Sequence, residues 1–320
     1  MDEFWYPELV RAGDENQLSS FITSVSGRRI TPEHWQWKFQ PQMSQKAIVV
    51  LARSKANHEI IGHYSGLPCA INYFGKAIAG SLIVDLLTLP QYRRMGICDV
   101  LSKCFLEACK DQGLQFVMGF PNEKSLPLHV KKLGFRSAAV LKHYEIEVER
   151  VESSLGESEG LCLNHEVPPG YSEFWEAYCS KTISLWKDLE YLRWRYDLNP
   201  IRDFIYFCIY RDNLLKAMAV GTFIDETLRL CELMIRHRDI PLGRNLVNAI
   251  AAFAKRKRAA KVIFSGTDGT FYDDVLLPNP SSILPMHVLV VRMLKPVPIE
   301  DQLMSGHPWA VSLGDFDTLQ

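Results

Sequence analysis

Residues 81–99 read Ser81-Leu82-Ile83-Val84-Asp85-Leu86-Leu87-Thr88-Leu89-Pro90-Gln91-Tyr92-Arg93-Arg94-Met95-Gly96-Ile97-Cys98-Asp99. The run 81–88 is apolar and β-branched, as a buried strand requires, with Asp85 its single carboxylate. Pro90 opens a turn, and a basic loop containing Gly96 follows. From Ile97 to Lys110 the small or apolar positions Ile97, Val100, Leu101, Cys104, Phe105 and Ala108 recur at the spacing of a helix lying on a sheet. A strand, a tight loop and a helix in this order form an anion cradle. The first helical turn offers unpaired N–H groups and the positive end of a dipole. Gly96 lets the backbone approach a ligand, Arg93 and Arg94 add charge, and a pyrophosphate is the natural guest.

On the N-terminal side, Asp14 is expected to cap a helix over 15–25, and Thr31-Pro32 supplies an N-cap with proline at N1. Strand-like runs cover 47–52 and 60–64. Beyond the helix stopped by Gly113, residues 116–120 read as a buried strand. Residues 125–133 read as a short helix ending at Gly134, and 144–148 as the last strand of this half. The polar, breaker-rich stretch 150–170 then reads as a connection.

The second half restarts the first. Trp37-Lys38-Phe39 recurs as Trp194-Arg195-Tyr196, 157 residues on, and the strand 48–52 recurs at 205–209 with the same offset. Strand 116–120 corresponds to 262–266 at an offset of 146. Several elements in one order imply a duplicated α/β fold of mixed α+β sheets: a domain over 1–150, a linker over 151–170 and a second domain over 171–320.

The 320 residues are 47% hydrophobic, with 36 Lys+Arg against 37 Asp+Glu. That balance excludes a nucleic-acid binder that works by neutralising phosphates. The one dense basic run, Lys255-Arg256-Lys257-Arg258, fits the solvated last turn of a helix. An acidic start broken by Pro7, and the absence of a long apolar run, lead to the expectation of a cytoplasmic protein with no membrane partner. Eight cysteines without a C-x-x-C pair are expected to be reduced core fillers, with no disulfide and no metal. Trp35, Trp37 and Trp194 read as core aromatics on helices.

The stretch Arg93-Arg94-Met95-Gly96-Ile97-Cys98 resembles the Q/R-x-x-G-x-G/A hallmark of the GNAT superfamily of acyl-CoA-dependent N-acyltransferases. Thr88-Leu-Pro-Gln-Tyr-Arg precedes it, Gly119-Phe120-Pro121-Asn122 closes the next strand, and Lys131-Lys132-Leu133-Gly134-Phe135 is similar to the family's closing segment. The resemblance implies two tandem GNAT-like domains, each a central mixed sheet flanked by helices, and acetyl-CoA or a longer acyl-CoA as co-substrate without a metal. It implies that Arg93 and the backbone of Arg94, Met95, Gly96, Ile97 and Cys98 hold the pyrophosphate. Main-chain groups of Leu87 and Leu89, with Asn122 and Ser125, would hold the pantetheine arm. Cys98 departs from the usual Gly or Ala and is structural, because the amine attacks the thioester directly in this family.

In the second half, Asp239-Ile-Pro241-Leu-Gly243-Arg244-Asn245 stands where the cradle would be and lacks the motif. That half is therefore expected to bind no CoA and to shape the acceptor site. The arrangement is similar to bacterial enzymes that acylate the amino group of nucleotide-linked (dTDP- or UDP-) deoxyamino sugars. Asp85, His63 and His129 are the candidate catalytic groups, since many relatives carry a tyrosine acid where this chain has Val130. Tyr64, Tyr272 and His287 are candidate acceptor contacts, and the loop 265–270 is a weaker one. Two other readings stay open: a non-catalytic acyl-CoA-binding regulator, and a tandem peptidyl or aminoacyl transferase of cell-wall building.

Overall fold

A computed structural model describes all residues except 1–3, 41–45, 151–159, 268–269, 277–281, 297–299, 305–308 and 316–320. In chain order the first elements are β1 (Trp5–Leu9), α1 (Glu15–Ser26), α2 (Pro32–Phe39), β2 (Ile48–Ser54), β3 (Ile60–Tyr73), β4 (Lys76–Thr88), α3 (Ile97–Asp111), β5 (Phe116–Gly119) and β6 (Arg136–Glu147). There follow β7 (Leu161–Asn164), α4 (Tyr171–Cys179), β8 (Ile183–Leu185), α5 (Leu189–Leu192), β9 (Ile205–Arg211), β10 (Leu214–Ile224) and β11 (Thr227–Ile235). The last are α6 (Ile240–Arg256), β12 (Lys261–Thr267), α7 (Thr270–Leu276), β13 (Ser282–Met293) and α8 (Glu300–Met304).

The chain divides into two compact units. Unit 1 comprises Met1–Ala70, Ile78–Arg136 and Val290–Glu300; unit 2 comprises Ile71–Ala77, Ser137–Leu289 and Asp301–Gln320. This division differs from halves at 1–150 and 171–320, and one cause is pairing. In unit 1 the order is β1-β2-β3-β4-β5-β13, with β4 and β5 parallel and Val290–Met293 of β13 antiparallel to β5. The strand expected to finish the first half, β6, instead pairs with β12 in unit 2, from Glu147 opposite Lys261 to Leu141 opposite Thr267. An alternating pattern marks a strand, but says nothing of the edge it will join.

Unit 2 has the order β6-β12-β11-β10-β9-β7, with β11 and β12 parallel and β8 set against the end of β3. Both units therefore follow one plan: an antiparallel meander, a crossover helix, a parallel strand and an antiparallel closing strand. In unit 2 the apolar face of α6, with Leu246, Ile250 and Phe253, packs on Phe207, Leu230 and Val262. In unit 1, α3 buries Leu101, Phe105 and Cys109, and Phe105 meets Tyr64 at 5.0 Å between ring centroids. The helix can lie this close because Gly66 of β3 has no side chain. A Cβ there would stand 2.5 Å from Phe105 Cζ and 2.2 Å from Ser81 Oγ.

Several local expectations hold. Thr31 caps α2 by accepting from His34 N at 3.2 Å, with Pro32 at the first helical position. Lys255 and Arg256 stand in the last turn of α6. Asp14 differs, because its carboxylate is drawn to Arg53 (2.6 Å) and to Arg11 N (2.9 Å) and gives α1 no side-chain cap. All eight cysteines are free; Cys109, Cys179, Cys208 and Cys231 are buried as core fillers, whereas Cys69, Cys98 and Cys104 are half-buried and Cys162 is exposed. Among the described residues no helix is long and apolar enough to cross a membrane.

Gly66→Ala should lower stability by about 1–3 kcal/mol, through overpacking beneath α3. A thermal melt followed by circular dichroism reads this as a lower midpoint; an unchanged midpoint would show that α3 can yield.

Candidate active site

Between β4 and α3 the chain makes a tight loop with its own hydrogen bonds. Leu89 N donates to Ile61 O at 3.0 Å, Tyr92 N to Leu89 O at 2.9 Å, and Arg93 Nε to Thr88 O at 3.2 Å. Arg94 and Gly96 then take left-handed backbone, with φ of +66° and +77°. A Cβ at Gly96 would meet nothing within 4 Å, so the conformation rather than crowding favours glycine. Asp99 N and Val100 N are the first amides to find the helical acceptor, Gly96 O. The amides of Arg94, Met95, Gly96, Ile97 and Cys98 donate to none of the described residues. Five consecutive N–H groups are thus left for water or an anion at the positive end of a 15-residue helix.

The parallel pairing of β4 with β5 stops at Ile83 opposite Gly119, while β4 continues to Thr88. Leu87 lies on this diverging stretch. Leu89 is less available than expected, because its N–H is spent on Ile61 and its carbonyl already accepts from Tyr92. At the point of divergence Asp85 has φ +47°. Its carbonyl accepts from His63 Nδ1 at 2.7 Å, and the carbonyl of Val84 accepts from Ser65 Oγ at 2.8 Å.

The Asp85 side chain, 2% exposed, is held by Lys38 Nζ and Arg28 Nη2, each at 2.5 Å. Burial opposes its charge, but Lys38 first and Arg28 next hold the carboxyl well below the usual carboxylate range. A carboxylate so paired is a poor proton acceptor at neutral pH, so the expected base is an ion-pair anchor. His63 is fully buried, and burial holds its pKa below the ordinary value. His129 is buried too. Its Nδ1 meets Ser125 O at 2.9 Å, its ring packs on Phe135, and burial depresses its pKa. Val130 is 39% exposed and carries no proton to give.

Asn122 Oδ1 accepts from Lys124 N, Ser125 N and Ser125 Oγ, between 3.0 and 3.1 Å, so it caps the turn that leads to a π-helical segment, Leu128–Lys132. Its exposed amide nitrogen stays open to a ligand. Cys98 is half-buried, and burial pushes its thiol up to about 11, which keeps it protonated and unreactive. Tyr64 lies in the core beneath α3 with no partner for its hydroxyl among the described residues, a packing position rather than a lining one.

Tyr272 and His287 both belong to unit 2. Tyr272 is buried against Phe264, with centroids 4.9 Å apart, and burial depresses the pKa of the half-buried His287. Of the loop 265–270, residues 268–269 lie outside the described residues. Thr267 is buried and bonded to Trp309 O.

The cradle's counterpart in unit 2 offers fewer amides. Asp239 caps α6 by accepting from Leu242 N at 3.0 Å, and Pro241 has no N–H to offer. The strands again part, beyond Leu230 opposite Phe264, but residues 309–315 fill the gap. Thr267 N donates to Val311 O at 2.9 Å, Ser312 bridges Gly266, and Ser312 Oγ donates to Glu232 Oε2 at 2.8 Å. Lys187 Nζ joins Glu232 (2.6 Å) to Asp315 (2.9 Å). Lys38, Arg28, Lys187, Glu232 and Asp315 were not singled out by sequence reasoning. The available signal was Lys38 set among Trp35, Trp37 and Phe39, a cation in an aromatic helix that needs a buried counter-charge.

Residues 9–137 match the family described as acetyltransferase (GNAT) domain. No curated protein sequence matches the chain. Among solved structures, the chain is similar to a probable N-acyltransferase of unknown function from Enterococcus faecalis V583, with TM-score 0.69 and 12% identity over 91% of this chain and 72% of that one. It is also similar to a GCN5-related N-acetyltransferase from Anabaena variabilis ATCC 29413, with TM-score 0.67 and 14% identity over 95% and 81% of the two chains. Saccharomyces cerevisiae N-myristoyltransferase with bound myristoyl-CoA gives TM-score 0.63 and 10% identity over 93% and 84%. At these identities the likeness is one of fold. The protein has a mixed α/β fold like that of these structures over most of its length, and it is residues 9–137 that match the GNAT acetyltransferase family.

Asp85→Asn should cost about 3–5 kcal/mol at neutral pH, because it takes the negative charge out of a buried ion pair with Lys38. The folded pKa of Asp85 is depressed, so its contribution is complete above about pH 5 and is lost as pH falls below about 4 toward the folded value. Urea unfolding of both proteins should show a gap that narrows on going from pH 7 to pH 3. A gap independent of pH would contradict the ion-pair account.

Proposed function

We propose that the protein is an acyl-CoA-dependent N-acyltransferase of tandem GNAT type, acting on a primary amine, with the amino group of a nucleotide-linked deoxyamino sugar as acceptor. The run of five open amides from Arg94 to Cys98, beside the parting of β4 and β5, carries this reading. The amides and Arg93 and Arg94 suit a pyrophosphate, and the diverging stretch with Asn122 suits an amide-bearing arm. Acyl-CoA would supply a thioester whose carbonyl is open to a nucleophile. The amine nitrogen attacks that carbonyl carbon, a C–N bond forms, the C–S bond breaks, the nitrogen gives up a proton to water, and the sulfur leaves as a thiolate that takes one up.

The chain's part in this is to bind and orient, an effect that can supply much of the barrier reduction. Asp85 stays ionised and paired, and the buried His129 is tied to Ser125, so proton transfers pass through water. Unit 2, its groove filled by residues 309–315, leaves one donor site per chain and serves acceptor recognition. The even charge balance requires that a nucleotide portion be held by a local pocket rather than by a broad basic surface.

The lack of a side-chain acid at Val130 favours a second reading, an acyl-CoA-binding regulator without turnover. Thiol release from acetyl-CoA, followed with a panel of nucleotide-linked amino sugars and peptide amines, separates the two. Release with the amino sugars is expected; binding without release from any amine would favour the regulator.

Calorimetric titration should count one acetyl-CoA per chain, and two sites would refute the single donor site. Gly96→Glu places a carboxylate and a strained φ in the cradle, and should weaken acetyl-CoA binding at least tenfold, or about 1.4 kcal/mol.

A further inference from the structure

His63 is an expensive residue for its position. It is fully buried on β3, its ring lies 5.9 Å from that of Phe39 and 6.5 Å from that of Phe21, and its Nε2 has no hydrogen-bond partner among the described residues. A leucine or phenylalanine would fill the same space without leaving a nitrogen unsatisfied. The compensation is at Nδ1, which donates to the Asp85 carbonyl; a carbonyl only accepts, so the proton sits on Nδ1 and Nε2 is bare. Two residues along the same strand, Ser65 donates to the carbonyl of Val84. Two consecutive carbonyls of β4 are thus met by β3 side chains at the residue whose positive φ breaks the strand. The carboxylate of that same residue is fixed by Lys38 and Arg28.

We infer that His63 is a positioning residue for the acyl carrier: with Ser65, Lys38 and Arg28 it locks the break at Asp85 and so sets the course of residues 86–89 along the donor site. It does not act as a base, since its one bare nitrogen faces a closed aromatic pocket. The inference rests on the donor site proposed above.

Two substitutions at one position test it. His63→Asn keeps an N–H donor at the branch point of Nδ1, whereas His63→Leu keeps bulk and loses the donor. With wild type binding acetyl-CoA, the asparagine variant should bind it within about threefold of wild type. The leucine variant should bind at least tenfold more weakly, with the acceptor KM unchanged within about twofold. If His63→Leu fails to fold, Ser65→Ala removes the neighbouring donor and should weaken acetyl-CoA binding in the same direction, again sparing the acceptor KM. Asparagine as damaging as leucine, with kcat lost rather than acetyl-CoA affinity, would make the imidazole itself essential and overturn the positioning role. Unchanged acetyl-CoA affinity in His63→Leu, or in Ser65→Ala where that variant replaces it, overturns the role as well and leaves the donor site standing. A wild type that binds no acetyl-CoA overturns both.

Discussion

Backbone N–H and C=O groups withdrawn from water must find partners, and parallel strands that part company create unpartnered groups by construction. The two units meet this constraint differently on one strand plan. In unit 1, side chains of β3 take the carbonyls at the break in β4, and the amides at the start of α3 are left facing outward. In unit 2 the chain itself supplies partners through residues 309–315, and Asp239 and Pro241 reduce the donors at the start of α6. One parting is available to a ligand and the other is filled by the chain, although the strand order and the crossover helix are the same.

Each unit also buries a carboxylate where the parallel pairing ends, and each neutralises it from a different part of the chain. Asp85 has Lys38 and Arg28; Glu232 has Lys187 and the hydroxyls of Tyr196 and Ser312. Lys187 also serves Asp315, whose carboxyl is pushed up to about 6 by burial despite that lysine. Such groups contribute little net stability compared with apolar side chains of the same size, but a single missing partner is costly. They therefore fix geometry more than they add to stability, and the geometry fixed is that of a strand at its break.

The fold's local grammar is legible in the sequence. Gly96, Pro90 and the stripe from Ile97 to Ala108 specify strand, loop and helix through conformational preference and periodicity, and Thr31-Pro32 specifies the start of α2. What escapes is everything decided by distant partners. Asp14 has the chemistry of a cap but loses its carboxylate to Arg53, 39 residues away. Asp85 has the chemistry of a base, but its role is set by cations 47 and 57 residues earlier. Tyr64 and His63 are neighbours on one strand, and only the packing of α3 and the two phenylalanines decides what each side chain meets. The same limit explains β6, whose alternation is plain and whose partner is not.

The late position of β13 in the chain matters for how the protein is made. Unit 1 closes with Val290–Met293, so β5 waits for about 170 further residues before its outer edge is covered. At the usual 5–20 residues per second, that is roughly 10–30 s on the ribosome with a bare row of hydrogen-bonding groups beside an apolar sheet. A nascent chain that already carries the whole cradle cannot yet hold its shape. The interval exposes the chain to chaperones, and to pairing with other nascent copies, at the very strand from which β4 parts.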